Sequence, residues 1–108
     1  MLRIPEILKG LEKITPEIRY KSCVENKNVS IGLISFTPRR NPDSKQITHR
    51  DKDVLCHVLK GRGRLRINKR KLSLEPGMLC HIPKGTPHDF AAAGKKELVL
   101  FYSLFKTG

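Results

Sequence analysis

Tryptophan is absent, aromatic residues make up only 6% of the 108 positions, and Asp and Glu number 10 against 22 Lys and Arg. No apolar run approaches the roughly 20 residues that cross a bilayer as a helix, so no membrane partner is expected. The stretch MLRIPEILKGLEKI at the start has no continuous apolar core followed by small residues, and no secretory signal is read there. Cysteines are few, at Cys23, Cys56 and Cys80. An odd, widely spread set does not make a disulfide framework, and reduced thiols in a cytoplasmic protein are expected. The scarce aromatics leave no stripe for stacking on single strands, and neither a helix-turn-helix pattern nor zinc-finger spacing is present. On these motif grounds nucleic acid is disfavoured as a partner.

What is abundant is positive charge. The net charge is +12 at pH 7 and the pI is about 10.1. The excess lies between Arg39 and Lys71 and is densest in RGRLRINKRK, residues 62–71. Such a field attracts anions, or simply solvates a surface. With 38% hydrophobic residues and a mean hydropathy of -0.40, one soluble domain with a modest core is expected.

Punctuation divides the chain into short extended runs. PEILKGLEK, residues 5–13, reads as a short helix with Pro5 in its first turn. Residues 1–16 are thus taken as a helical or extended N-terminal segment and 17–108 as the main domain. EIRYKSCVE and VSIGLISFTP flank the turn signal Asn26-Lys27-Asn28 and read as a hairpin. Residues 38–48, PRRNPDSKQIT, read as a polar loop. DVLCHVLKG, GRLRIN, KLSLEPG, MLCHIP, HDFAAA and ELVLFYSLF then follow as strands, separated by glycine- or asparagine-bearing turns. Many short strands with regular turn signals argue for an all-β sandwich or barrel. In GRLRIN, Leu65 and Ile67 share one face and Arg64 and Arg66 the other. The arginine face is either a solvated surface or a ladder for an anion.

The segment GMLCHIPKGTPHDF, residues 77–90, packs two glycines, two prolines and two histidines into fourteen positions. Pro83 cannot sit inside a central strand because it removes a ladder donor. A strand ending at Pro83, a turn over Lys84-Gly85-Thr86-Pro87, and a new strand opening at His88 are therefore predicted.

The spacing Gly77-x5-Pro83-x-Gly85-x2-His88 resembles the second motif of the cupin family. The stretch 54-VLCHVLKGRGRLRI-67 resembles the end of its first motif, and the likeness extends over roughly residues 29–105. The resemblance implies a double-stranded β-helix, a jelly-roll barrel, here with a short N-terminal helix. It also implies a homodimer, and a divalent metal (iron, manganese, zinc or nickel) held inside the barrel by histidines and a glutamate. Carried over position by position, His49 and His88 match ligand histidines. Ile47 and Val54 depart from the other two ligand positions. Asp53, one residue before Val54, is the candidate third ligand, although a one-residue step turns a strand side chain to the opposite face. Cys56 and Cys80 are read as ligand candidates or small core residues. His57 is placed on the outer face or at an interface, and the orientation of His81 stays open. Arg50, Arg62 and Lys84 are candidates to bind a small anionic ligand, because guanidinium and ammonium groups match carboxylates and phosphates. A metal-bearing barrel acting on a small anion, and a metal-free binding module with an apolar cavity lined by Ile47, Val54, Cys56 and Val58, both remain open at this point.

Overall fold

A computed structural model describes residues 3–38 and 48–107. The chain opens with a helix, α1 (Ile4–Lys9), with proline in its first turn. It ends at Gly10, whose N–H bonds the carbonyl of Ile7 at 3.0 Å. The helix is shorter than the 5–13 run expected from the sequence. Gly10 stops it, and Glu12–Lys13 instead form a two-residue strand, β1, paired with β2 (Ile18–Glu25). β2 returns through a hairpin to β3 (Val29–Phe36). Asn26 closes that turn, its side-chain oxygen accepting from the N–H groups of Asn28 and Val29 at 2.8 and 3.0 Å. This is the local bonding that makes asparagine a turn residue.

Six further strands follow: β4 (Lys52–Lys60), β5 (Gly63–Ile67), β6 (Arg70–Leu74), β7 (Leu79–Ile82), β8 (His88–Ala92) and β9 (Leu98–Lys106). They form two antiparallel sheets, one ordered β1-β2-β3-β9-β4-β7 and the other β6-β5-β8. Alternation decides which face of each strand is core. On β4, Val54, Cys56 and Val58 are buried while Leu55 and His57 are exposed. On β5, Leu65 is buried and Arg64 exposed. The inward residues of both sheets meet in one cluster that includes Phe36, Val54, Cys56, Leu65, Phe90, Leu100 and Tyr102. Each buried aliphatic side chain contributes about 1.5–3 kcal/mol by leaving water, and this shared cluster holds the two sheets together.

Four connections carry the chain between sheets, β4–β5, β6–β7, β7–β8 and β8–β9. Gly61, at φ 81°, links β4 to β5, and a Cβ there would run into the Glu97 carbonyl. Gly85, at φ 79°, sits in the turn between β7 and β8, where a Cβ would meet open space. The predicted punctuation of residues 77–90 is therefore realised: β7 stops at Ile82 before Pro83, and His88 is the first residue of β8.

Candidate functional site

His88 is 3% exposed and points into the barrel from the start of β8. Its Nδ1 lies 3.0 Å from the Thr86 carbonyl oxygen. A carbonyl can only accept, so Nδ1 carries a proton, and in the neutral ring Nε2 is left as an acceptor. His49 approaches from the segment just before β4. Its backbone carbonyl accepts from Gly85 N–H at 2.7 Å, which ties this segment to the turn that positions His88. The two imidazole rings lie with centroids 5.3 Å apart.

Tyr102, from the middle of β9, completes the group. Its hydroxyl is 3.2 Å from His49 Nε2. Phe90 lies beneath, 6.1 Å from the His88 ring and 6.5 Å from the Tyr102 ring, both edge-on. Burial holds the His49 imidazole below its ordinary pKa, and the neighbouring His88 and Lys52 push in the same direction against a smaller opposing pull from Asp51. Burial also pushes the Tyr102 phenol upward, keeping it protonated. At neutral pH the arrangement therefore favours a neutral His49 beside a hydroxyl able to donate or accept. The site lacked a sequence signal at Tyr102: within LVLFYSLF an inward tyrosine is indistinguishable from a core aromatic.

The other expected site residues are distributed elsewhere. Asp53 does not join His49 and His88. It accepts from the Lys84 backbone N–H at 3.0 Å and from Thr107 Oγ1 at 3.3 Å, and pairs with His81 Nε2 at 2.8 Å. His81 thus lies on the outer side with Asp53, opposite the inward Val54. The reason is the strand period of two: one step from Val54 reverses the face. The hydrogen bond from His81, followed by that from the Lys84 backbone, holds the Asp53 carboxyl below its ordinary value. Asp53 acts as a pin between β4, the β7–β8 turn and the tail after β9. Val54 occupies the position where the resemblance implies a glutamate, and it is 1% exposed in the core. Ile47 falls outside the described residues. Cys56 and Cys80 face one another across β4 and β7 as free thiols, and burial pushes both upward, away from thiolate. His57 is exposed on the outer face, as expected.

Arg50 and Lys84 are exposed beside the His49–Gly85 link, and Lys84 Nζ reaches the Thr107 carbonyl at 3.3 Å. Arg62 lies elsewhere. His88 pairs with Ile67, at one end of β5, whereas Arg62 precedes Gly63 at the other. Four strand steps, about 13 Å, separate the two ends.

Among the described residues no group of three or more His, Cys, Asp and Glu side chains converges as a metal site. The donor chemistry explains why. Two imidazoles and a protonated phenol fall short of the three protein ligands of a catalytic zinc or the two histidines and one carboxylate of a non-haem iron centre. The described residues therefore do not fit a tightly held resident divalent ion.

Two antiparallel sheets closed over one core, with a histidine pair at the mouth between them, define a jelly-roll β-barrel. A model of the cupin domain matches residues 34–105, and the chain belongs to the cupin-domain family. An uncharacterized protein of Aquifex aeolicus (strain VF5) is 29% identical over 97 residues, covering 90% of this chain and 77% of its own. Among solved structures, the predicted oxalate decarboxylase of Thermotoga maritima superposes with a TM-score of 0.82 at 17% identity, covering 99% of both chains. The cupin domain of Schizosaccharomyces pombe Cnp3 also gives a TM-score of 0.82, at 12% identity, covering 99% of this chain and 74% of its own. At these identities the structural likeness carries the fold and no particular activity.

Proposed function

We propose that the protein binds a small molecule at the His49–His88–Tyr102 group without a resident metal. The 5.3 Å approach of the two imidazole rings, with the Tyr102 hydroxyl on one of them, carries this reading. His88 Nε2 accepts a hydrogen bond from a ligand hydroxyl. His49 and Tyr102 serve a neighbouring oxygen. Phe90, Val54 and Cys56 supply the apolar surroundings that small ligands prefer. Arg50 and Lys84 flank the mouth and favour a ligand carrying a carboxylate, so small hydroxy acids are the first class to test. Retention in the cytoplasm suits the reduced thiols of Cys56 and Cys80.

A divalent ion on His49 and His88 is the competing reading. The bond from His88 Nδ1 to the Thr86 carbonyl supports it, because ligating histidines commonly donate their second nitrogen in this way. The missing third ligand weighs against it.

The test is calorimetric titration with a panel of small hydroxy acids on wild type, His88→Gln and Arg62→Ala. A binder should lose about tenfold in affinity in His88→Gln, the equivalent of one hydrogen bond of about 1.4 kcal/mol, and keep its affinity in Arg62→Ala. Equal affinity in wild type and His88→Gln would place binding elsewhere.

A further inference from the structure

Arg50, Lys52 and Lys84 lie near the histidine group, but they are few of the 22 Lys and Arg residues. The densest positive charge lies on the outer side of the β6-β5-β8 sheet and the adjoining turns. There Arg64 and Arg66, turned away from the core by the strand period, stand beside Lys71 on β6 and Asp89 on β8. These four border an open depression of about 380 Å³ floored by small residues, Ala91 to Gly94. Arg66 is held toward Asp89, with nitrogen and oxygen 3.5 Å apart. Arg64 also borders a second depression of about 530 Å³ together with Arg62 and Glu75. Arg62 in turn borders a third, of about 900 Å³, with Lys60, Lys95, Lys96 and Glu97. Arg64, Arg62 and Ala93 are shared between neighbours, so the three depressions adjoin one another in a basic track. Among the described residues, seven cationic side chains line it against three carboxylates, and no aromatic residue does.

This geometry suits a long anion better than a small one. A single phosphate or carboxylate is held by cations converging on a closed pocket. Here the cations are strung out along adjoining open depressions from β6 past β5 to the β8–β9 turn. Guanidinium and ammonium groups in a line neutralise successive phosphates. Among the described residues no aromatic side chain lines the track for base stacking and no helix presents side chains to a groove, so contact would be to the backbone alone and independent of sequence. A basic strip on one face is the electrostatic footprint of such binding and requires none of the recognition motifs that the sequence lacks. We propose that this track binds the phosphodiester backbone of a nucleic acid without sequence preference.

The test is fluorescence anisotropy with a labelled oligonucleotide of about 20 nucleotides, single-stranded and duplex, across a salt series. The proteins compared are wild type, the double variant Arg64→Glu/Lys71→Glu, and the control Lys13→Glu/Lys21→Glu, which makes the same change in net charge at exposed positions of β1 and β2. Far-ultraviolet circular dichroism verifies that each is folded. Wild type should bind at low salt and weaken steeply as salt rises. The track variant should lose about tenfold or more in affinity and show a shallower salt slope, while the control loses less than about threefold. Equal losses in the two variants would mean diffuse attraction and overturn the proposal. So would the absence of binding at about 50 mM salt, displacement of the oligonucleotide by equimolar pyrophosphate, or binding of polyglutamate as tight as that of the oligonucleotide.

Discussion

At the residue scale, protonation of His49 separates a ligand-binding imidazole from a charged surface histidine. Burial lowers its folded pKa beneath the ordinary 6.5, so between the two values the unfolded chain binds more protons than the folded one. Stability must then fall as pH drops from about 6.5 through the lowered value, and be fully retained above 6.5. Nuclear magnetic resonance titration should give His49 a pKa below that of an unfolded-state histidine. Asp53, also lowered, adds a second loss as pH falls from 3.8 through its folded value. Removing the phenol by Tyr102→Phe should cost about 1 kcal/mol in denaturant unfolding, the usual worth of one hydrogen bond. An unchanged midpoint would show that the Tyr102–His49 contact carries no weight. His49 and His88 were readable because a glycine-proline frame surrounds His88 and the family spacing reaches back to His49. Asp53 was readable as a carboxylate near the site but not as a pin for His81 and Lys84, since these partners come from β7 and the turn after it, about thirty residues away.

At the scale of the element, strands were legible where alternation was clean and a turn residue followed. β5 obeys both, β7 and β8 were read from the glycines and prolines around them, and the bounds of all three lie close to the expected ones. β1 was hidden, because two residues carry no periodicity and its pairing with β2 is a long-range choice. The place of β9 between β3 and β4 was equally hidden: a uniformly apolar strand announces burial on both faces but not its neighbours. The turn glycines offer a graded test. Gly85→Ala meets only the left-handed backbone penalty, about 1–2 kcal/mol. Gly61→Ala meets the same penalty and also a collision with the Glu97 carbonyl, so its melting temperature should drop further. Equal drops would mean that the β8–β9 turn yields freely.

The whole molecule combines a barrel interior closed by core packing with two outer faces of opposite character. The β6-β5-β8 face is basic. The six-stranded face instead exposes Leu55 (41%), Phe101 (37%) and Leu79 (69%), with His57 paired between Phe101 and Leu79. Apolar residues gathered on one face favour contact between molecules, and we propose that this face supports the homodimer that the family resemblance implied. Leu79→Lys should halve the mass measured by light scattering while leaving the fold intact; an unchanged mass would assign assembly to another surface. The fold was legible in the sequence because turn residues and strand period are local. The destination of the charge was not, because Lys60, Arg62 and Lys96 come together only after β4, the β4–β5 turn and the β8–β9 turn have folded.

The His49–His88–Tyr102 group is proposed to bind its ligand without a resident metal. Metal content of tag-free protein, by mass spectrometry after incubation with iron, manganese, zinc or nickel and removal of the excess, tests it most directly. Wild type and His88→Ala should both retain far less than one equivalent. Close to one equivalent in wild type, lost in His88→Ala, would overturn metal-free binding and restore the metal-bearing barrel.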